Sequence, residues 1–443
     1  MNFELLRRLV EAIKHQSHDG SVLEGEDAMR WMAGGELSFV KVDPATGDRW
    51  GLDPEGLDMV DRLAASIERS RSPRSRAATG RQFRTALAKL VMERFAGPRR
   101  VDVTKEELEA FRASFDDWWT EQTRTRTHLV PCAVIPAKAS EFRIGPVRFL
   151  HWNQLTSGGG PLSFEGFPSD QARDAIGGTL RMASASWVAC LEVQGAFPDR
   201  AEEIADLAVD LAMVAIQLAV PVAHSRHMGR VTRRSPPALR SRVVMTDGHL
   251  EVGNANNSPG LALSGPALDQ FLCDAGELIG AVGRRIASFA DASSQQSDID
   301  SAWSEGAYWL HEGLAEHLDS LAVAKLETAI EVLLRAESTK GSGRRMRQAI
   351  CAVTGLGETD PISPGSAVTV AALAKRLVGA RSKVLHGTSS TLSGDLASER
   401  RLLEGLCHTL FATTAINMER YRASDNATDD IEALLDWLGV EQP

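Results

Sequence analysis

The chain is 443 residues long and 43% hydrophobic, more than one core usually holds, so two or three globular domains are expected. Its formal net charge of −10 speaks against binding nucleic acid by bulk attraction, so a polyanion would have to meet a local cluster of cations. Five scattered cysteines with no CxxC pair signal neither a zinc ribbon nor a disulfide framework, which fits a reducing, cytoplasmic compartment.

In chain order, MNFELLRRLVEAIKHQ reads as an amphipathic helix, and Glu4 and Glu11 set it apart from a signal peptide or an acid-poor transit peptide. His15 and His18 would close that helix. Residues 1–100 form a first, mainly helical region that ends in a basic segment. Between 69 and 100 there are nine arginines and Lys89 against one acid, Glu93. Arg74 and Arg76 are its candidate nucleic-acid contacts. Residues 101–262 read as a mixed α/β sensor or regulatory domain. THLVPCAVIPAKASEFRIGPVRFLHW and SASWVACLEVQGAF have the β-branched and aromatic content of strands. TSGGGPL, with Gly158 to Gly160, lacks the Lys-Ser/Thr of a phosphate loop and reads as a turn. Residues 199–220 read as a buried helix, interrupted by Asp210 and Gln217 and so unsuited to spanning a membrane. A second basic run, 226–242, holds six arginines and no acid, with Arg233 and Arg234 as candidate contacts. Each run either tracks a polyanion or pairs with acidic surface elsewhere in the protein. His224 and His227 lie in this basic stretch with no carboxylate or Cys beside them, which does not suit a metal site. SRVVMTDGHLEVGN carries a TDG turn between two strand-like runs.

Residues 263–443 read as helix after helix. HEGLAEH, from His311 to His317, resembles a zincin helix, but its second His is displaced from Ala315, where convergence on a metal would require it. Leu326, Ile330 and Leu333 place one face of a helix in the core, with Glu327, Glu331 and Arg335 on another. Ser363 before Pro364 has the form of an N-cap followed by proline at N1. The stripe that follows, Val370, Leu373, Leu377, Val384 and Leu385, has Arg381 at the edge of its buried side, where an unpaired charge is costly. Gly387 suits the left-handed position that ends the helix after His386. Arg381 and His386 lie roughly 140° apart around an ideal helix, so a site using both calls for a second copy of the chain. The overall expectation is an α+β, predominantly helical protein: an N-terminal mixed α/β region followed by a C-terminal all-α up-down bundle.

The segment GARSKVLHG, with KLETAIEVLL on an earlier helix and a long apolar helix after it, resembles the HEPN superfamily, in particular the Apea-like HEPN domains. These pair a helix of Leu/Ile-Glu-x-Leu-Leu type with an Arg-Ser-x-x-x-His-Gly signature. The resemblance covers roughly 265–425 and leaves the N-terminal half unassigned. It implies an RNA-cleaving or RNA-binding bundle, composite across a homodimer or higher even oligomer, with Arg381 and His386 catalytic and no metal or cofactor. Ser382 holds the polar position after the Arg, and Glu331 matches the acid of the upstream helix. Leu377 departs from the aromatic residue that many members place there. Lys383 and Arg376, on the same helix, are further candidate RNA contacts.

Such chemistry uses the ribose 2′-OH as nucleophile, which needs a base that titrates near neutral pH and a cation fixed on the phosphate. Histidine and arginine meet these two needs. Glu331 either holds Arg381 or pairs with Arg335 at the surface. The implied role is an antiphage, abortive-infection effector, cytoplasmic and without a membrane partner, whose N-terminal region senses a phage-derived or other trigger. The alternative is a non-catalytic HEPN module for nucleic-acid binding or dimerisation.

Overall fold

The computed structural model describes residues 2–16, 37–43, 46–71, 76–97, 104–156, 169–226, 228–231, 239–247, 249–256, 260–336, 339–388, 390–392, 395–425 and 427–441. It is predominantly helical with antiparallel sheets, an α+β protein. The chain divides into two compact units that do not follow chain order. The first comprises Met1–Thr125, Gln194–Ala201 and Ala292–Gln295; the second comprises Arg126–Val193, Glu202–Asp291 and Gln296–Pro443.

In the first unit, α1 (Phe3–Glu11) starts at Asn2, whose side chain accepts from the Glu4 and Leu5 amides. An antiparallel sheet follows, with β3 (Arg49–Leu52) between β1 (Ile13–Gln16) and β2 (Ser38–Val42). Then come α2 (Pro54–Arg71), α3 (Gly80–Phe95) and α4 (Lys105–Gln122). Thr79 with Gln82, and Thr104 with Glu107, form capping boxes at the last two helices. Their core is aromatic: Phe197 packs edge-on against Phe83, Trp118 and Trp119. This small sheet is an addition to a region that reads as mainly helical. His15 lies in β1, stacked on Trp50 at 5.1 Å, and does not close a helix. His18 and Arg74 fall outside the described residues.

The second unit contains a five-stranded antiparallel sheet in the order β5 (Phe142–Ile144), β6 (Val147–His151), β7 (Trp187–Val193), β4 (Arg126–Ala133), β8 (Gly229–Arg230). The short α5 (Trp152–Thr156) and α6 (Ser169–Met182) accompany it. The helix expected at 199–220 is α7 (Pro198–Ala219), buried along most of its length. Asp247, at φ 50°, turns the chain between β9 (Leu239–Thr246) and β10 (His249–Asn256), while Gly248 lies outside the described residues. Cross-strand partners Val243 and Val252, and Met245 and Leu250, share one face of this hairpin, and all four are exposed. Gly158 to Gly160, His227, Arg233 and Arg234 lie outside the described residues.

The remaining chain is helical: α8 (Gly265–Asp274), α9 (Gly276–Ala290), α10 (Asp298–Leu314), α11 (Asp319–Leu333), α12 (Thr339–Thr354), α13 (Val370–Leu385), α14 (Ala397–Arg422) and α15 (Ile431–Glu441). Helix α10 lies close against α11 because it presents glycines there. A Cβ on Gly306 would sit 2.9 Å from the Ala329 carbonyl oxygen, and one on Gly313 would sit 2.8 Å from the Leu326 side chain. Helices α12, α13 and α14 pack on other sides of α11. Ser363 and Pro364 do not cap a helix: Gly365 at φ 78° turns the chain there, and α13 starts six residues later with Thr369 accepting from the Ala372 amide. Val384 is buried, but Leu385 is 57% exposed and leaves the apolar stripe. No helix among the described residues is long and apolar enough to cross a membrane.

Candidate active site

Arg381 sits on the turn after Leu377, beside the buried Ala380, and faces α11. Two carboxylates meet it there. Its NH2 is 2.8 Å from Glu331 Oε2 and its Nε is 3.3 Å from Glu327 Oε2. Ser342 of α12 donates its hydroxyl to Glu331 Oε1 at 2.5 Å, which fixes that carboxylate on its other side. Arg335 is paired with Glu305 and not with Glu331. Of the two roles open to Glu331, the structure therefore shows the one that holds Arg381. No partner to the NH1 edge of Arg381 occurs among the described residues, and the side chain keeps 22% exposure.

Glu327 was expected on the polar face of α11, yet its side chain is 0% exposed. Neither of its oxygens has a hydrogen-bond donor among the described residues. Burial pushes its carboxyl up to about 8, the neighbouring Glu331 pushes the same way, and Arg381 opposes them. Cys407 of α14 lies on the same side of α11, its thiol 3.5 Å from the Leu326 carbonyl and pushed far up by burial. The clue to Glu327 is a second stripe on α11. Ser320, Val323 and Leu334 stand seven before, four before and seven after it, and all three are buried.

Helix α13 ends in a Schellman closure. The Gly387 amide donates to the Val384 carbonyl and the Thr388 amide to that of Lys383, with Gly387 at φ 68°. His386, the C-cap, is thereby held at the helix end with an exposed side chain. Ser382 is half-buried and Lys383 exposed. Arg381 thus stands against α11 while His386 points its chemistry at solvent.

The other cations named from the sequence have different surroundings. Arg376 is engaged by the start of α14, with Nε 2.9 Å from Glu399 and NH2 2.6 Å from Ser398. Arg76 is half-buried, and its amide donates to the Ala292 carbonyl. In the second basic run, the described Arg226 and Arg230 turn inward. Arg230 forks onto Asp210 at 2.8 and 2.9 Å and also reaches Asp206. Arg226 joins Glu404, which Arg400 holds from the other side while also reaching Asp319. For these two arginines the internal alternative holds.

His311, the first histidine of HEGLAEH, is buried. It faces Gln217 at 3.0 Å and Asp210 at 3.7 Å. Gln217 spends its amide NH2 on the Ser225 carbonyl, so its oxygen accepts from His311 Nδ1. Among the described residues no group of three or more His, Cys, Asp and Glu is placed to hold a metal ion.

No protein-family model matches the chain, and no curated protein or solved structure matches it either.

Proposed function

We propose that the chain is a metal-independent endoribonuclease of HEPN type, with Arg381 and His386 as its catalytic residues. The observation that carries the proposal is the state of Arg381. Its NH2 is paired with Glu331 and its Nε lies 3.3 Å from Glu327 as a charge contact without a hydrogen bond, while its NH1 edge has no partner among the described residues. An arginine oriented on one side and open on the other is set to clamp a phosphate. His386, exposed at the end of the same helix, accepts the proton of the ribose 2′-OH. The 2′ oxygen then bonds to phosphorus, the bond to the 5′ oxygen breaks and that oxygen takes up a proton, leaving a 2′,3′-cyclic phosphate and a 5′-hydroxyl.

The offset between Arg381 and His386 around one helix is answered by a homodimer in which two copies line one cleft. By resemblance the cellular role is antiphage defence in the cytoplasm, with the N-terminal region restraining the nuclease until a trigger acts. The test is incubation of RNA with the purified protein in EDTA, beside His386→Ala and Arg381→Ala. Cleavage to 2′,3′-cyclic ends by wild type alone is the expected result. Equal cleavage by all three proteins, or none by wild type under any trigger, rejects the reading.

The two-carboxylate hold on Arg381 also favours a second reading, a non-catalytic HEPN module in which Arg381 only ties α13 to α11. Loss of stability in Arg381→Ala without any loss of RNA cleavage or binding would select it.

A further inference from the structure

The proposed function assigns Arg381 and His386 and gives Glu327 only a contact with the guanidinium, with no role for its proton. A fully buried carboxyl with no hydrogen-bond donor is expensive to keep charged, and it lies between the guanidinium and a second carboxylate. We infer that Glu327 is a positioning residue for Arg381. As an uncharged acid beside Glu331 it leaves the outer edge of the guanidinium available to an RNA phosphate, and on ionising it draws the guanidinium inward and closes that edge. This inference rests on the ribonuclease reading and adds a regulation to it.

The charge balance explains the mechanism. With Glu327 neutral, Arg381 and Glu331 cancel, and the trio presents no net charge to an approaching phosphate. With Glu327 ionised the trio is net negative, and two anions compete with RNA for one cation. Glu331 is already held by Ser342, so Glu327 is the member able to change. The groups around it are few. On its own helix the neighbour is Glu331, from α13 it is Arg381, and from α14 it is the Cys407 thiol, itself kept neutral by burial. From α12 the approach is the Ser342 hydroxyl, and α10 brings Gly306 and Gly313 to this helix. Burial and Glu331 hold the proton on Glu327 up to about 8, so the change falls just above neutral pH.

The experiment measures binding, so that it does not depend on turnover. Full-length wild type, Glu327→Gln and Arg381→Ala are titrated with a fluorescent single-stranded RNA carrying 2′-O-methyl riboses, which 2′-OH attack cannot cut, at pH values either side of about 8. Wild-type affinity is expected to fall by up to about tenfold per pH unit above that point. Glu327→Gln, permanently uncharged, should lose this alkaline limb. A purely structural role would shift affinity at every pH and leave the profile alone. The same alkaline loss in wild type and Glu327→Gln overturns the inference while leaving the ribonuclease reading standing. Arg381→Ala binding as tightly as wild type at neutral pH overturns both. Should Glu327→Gln fail to fold, Glu327→Met, similar in length and uncharged, takes its place in the same comparison.

Discussion

Glu331 and Arg381 meet through a geometry that lysine cannot reproduce. Arginine reaches two carboxylates with separate nitrogens and still has an edge left, whereas an ammonium is a single point of charge. Arg381→Lys should therefore cut RNA about 100- to 1,000-fold more slowly than wild type, measured as single-turnover cleavage, with folding unchanged by circular dichroism. Glu327 adds a stability prediction. Its carboxyl is raised in the folded chain from an ordinary 4.5 to about 8, so the folded state binds the extra proton between those values. The stability it contributes is complete below 4.5 and is lost as pH rises through about 8. Denaturant titrations of wild type and Glu327→Gln should thus diverge across that window, the variant gaining relative to wild type as pH rises. Arg381 was legible in the sequence because an apolar stripe led straight to it. Glu327 was not, because a helix packed on several sides has no single polar face, and Leu326, Ile330 and Leu333 defined only one of its buried stripes.

Helices α10 and α11 owe their closeness to two glycines, and the two are not equivalent. At Gly306 a methyl group would meet the Ala329 carbonyl, which is backbone and cannot step aside; at Gly313 it would meet chiefly the Leu326 side chain. Gly306→Ala should cost about 1–3 kcal/mol in equilibrium unfolding and Gly313→Ala less. Since α11 carries both acids that hold Arg381, Gly306→Ala should also weaken RNA binding more than Gly313→Ala does. At this scale long elements were legible and short ones were not. Helices α7 and α14 and the β9–β10 hairpin follow from periodicity and from the TDG turn. Strands of four and five residues around Trp50 carry too little pattern to stand out from the helices flanking them. Ser363 and Pro364 mimicked a helix start because the cap signal is local, while the turn at Gly365 decides the direction of the chain.

Across the whole molecule, the distribution of arginine says more than the net charge. Arg226 and Arg230, members of a run that reads either as a polyanion track or as partners of the protein's own acids, neutralise buried acids in the second unit. Arg230→Ala should therefore lower stability by about 3–5 kcal/mol, because Asp210 would be left buried without its principal partner. The salt dependence of RNA binding should stay unchanged in Arg226→Ala, since that side chain is spent on Glu404. A shallower salt slope in that variant would return it to the RNA surface. The composition of the first unit was out of reach for sequence reading, because nothing local to Phe197 announces that its ring belongs with Phe83 and Trp119.

That arrangement also sets an order of events during synthesis. The first unit takes in Gln194–Ala201 and Ala292–Gln295, so it cannot close until the ribosome has passed residue 295. At ordinary translation speeds the stretch between Thr125 and Gln295 takes roughly 8–35 s to make. Until residue 197 has been made, the aromatic core around Phe83 lacks the Phe197 ring; after that the unit waits only for Ala292–Gln295. Arg381, on α13, emerges only after the last segment of that unit, so the candidate site comes into being later than the first unit can close.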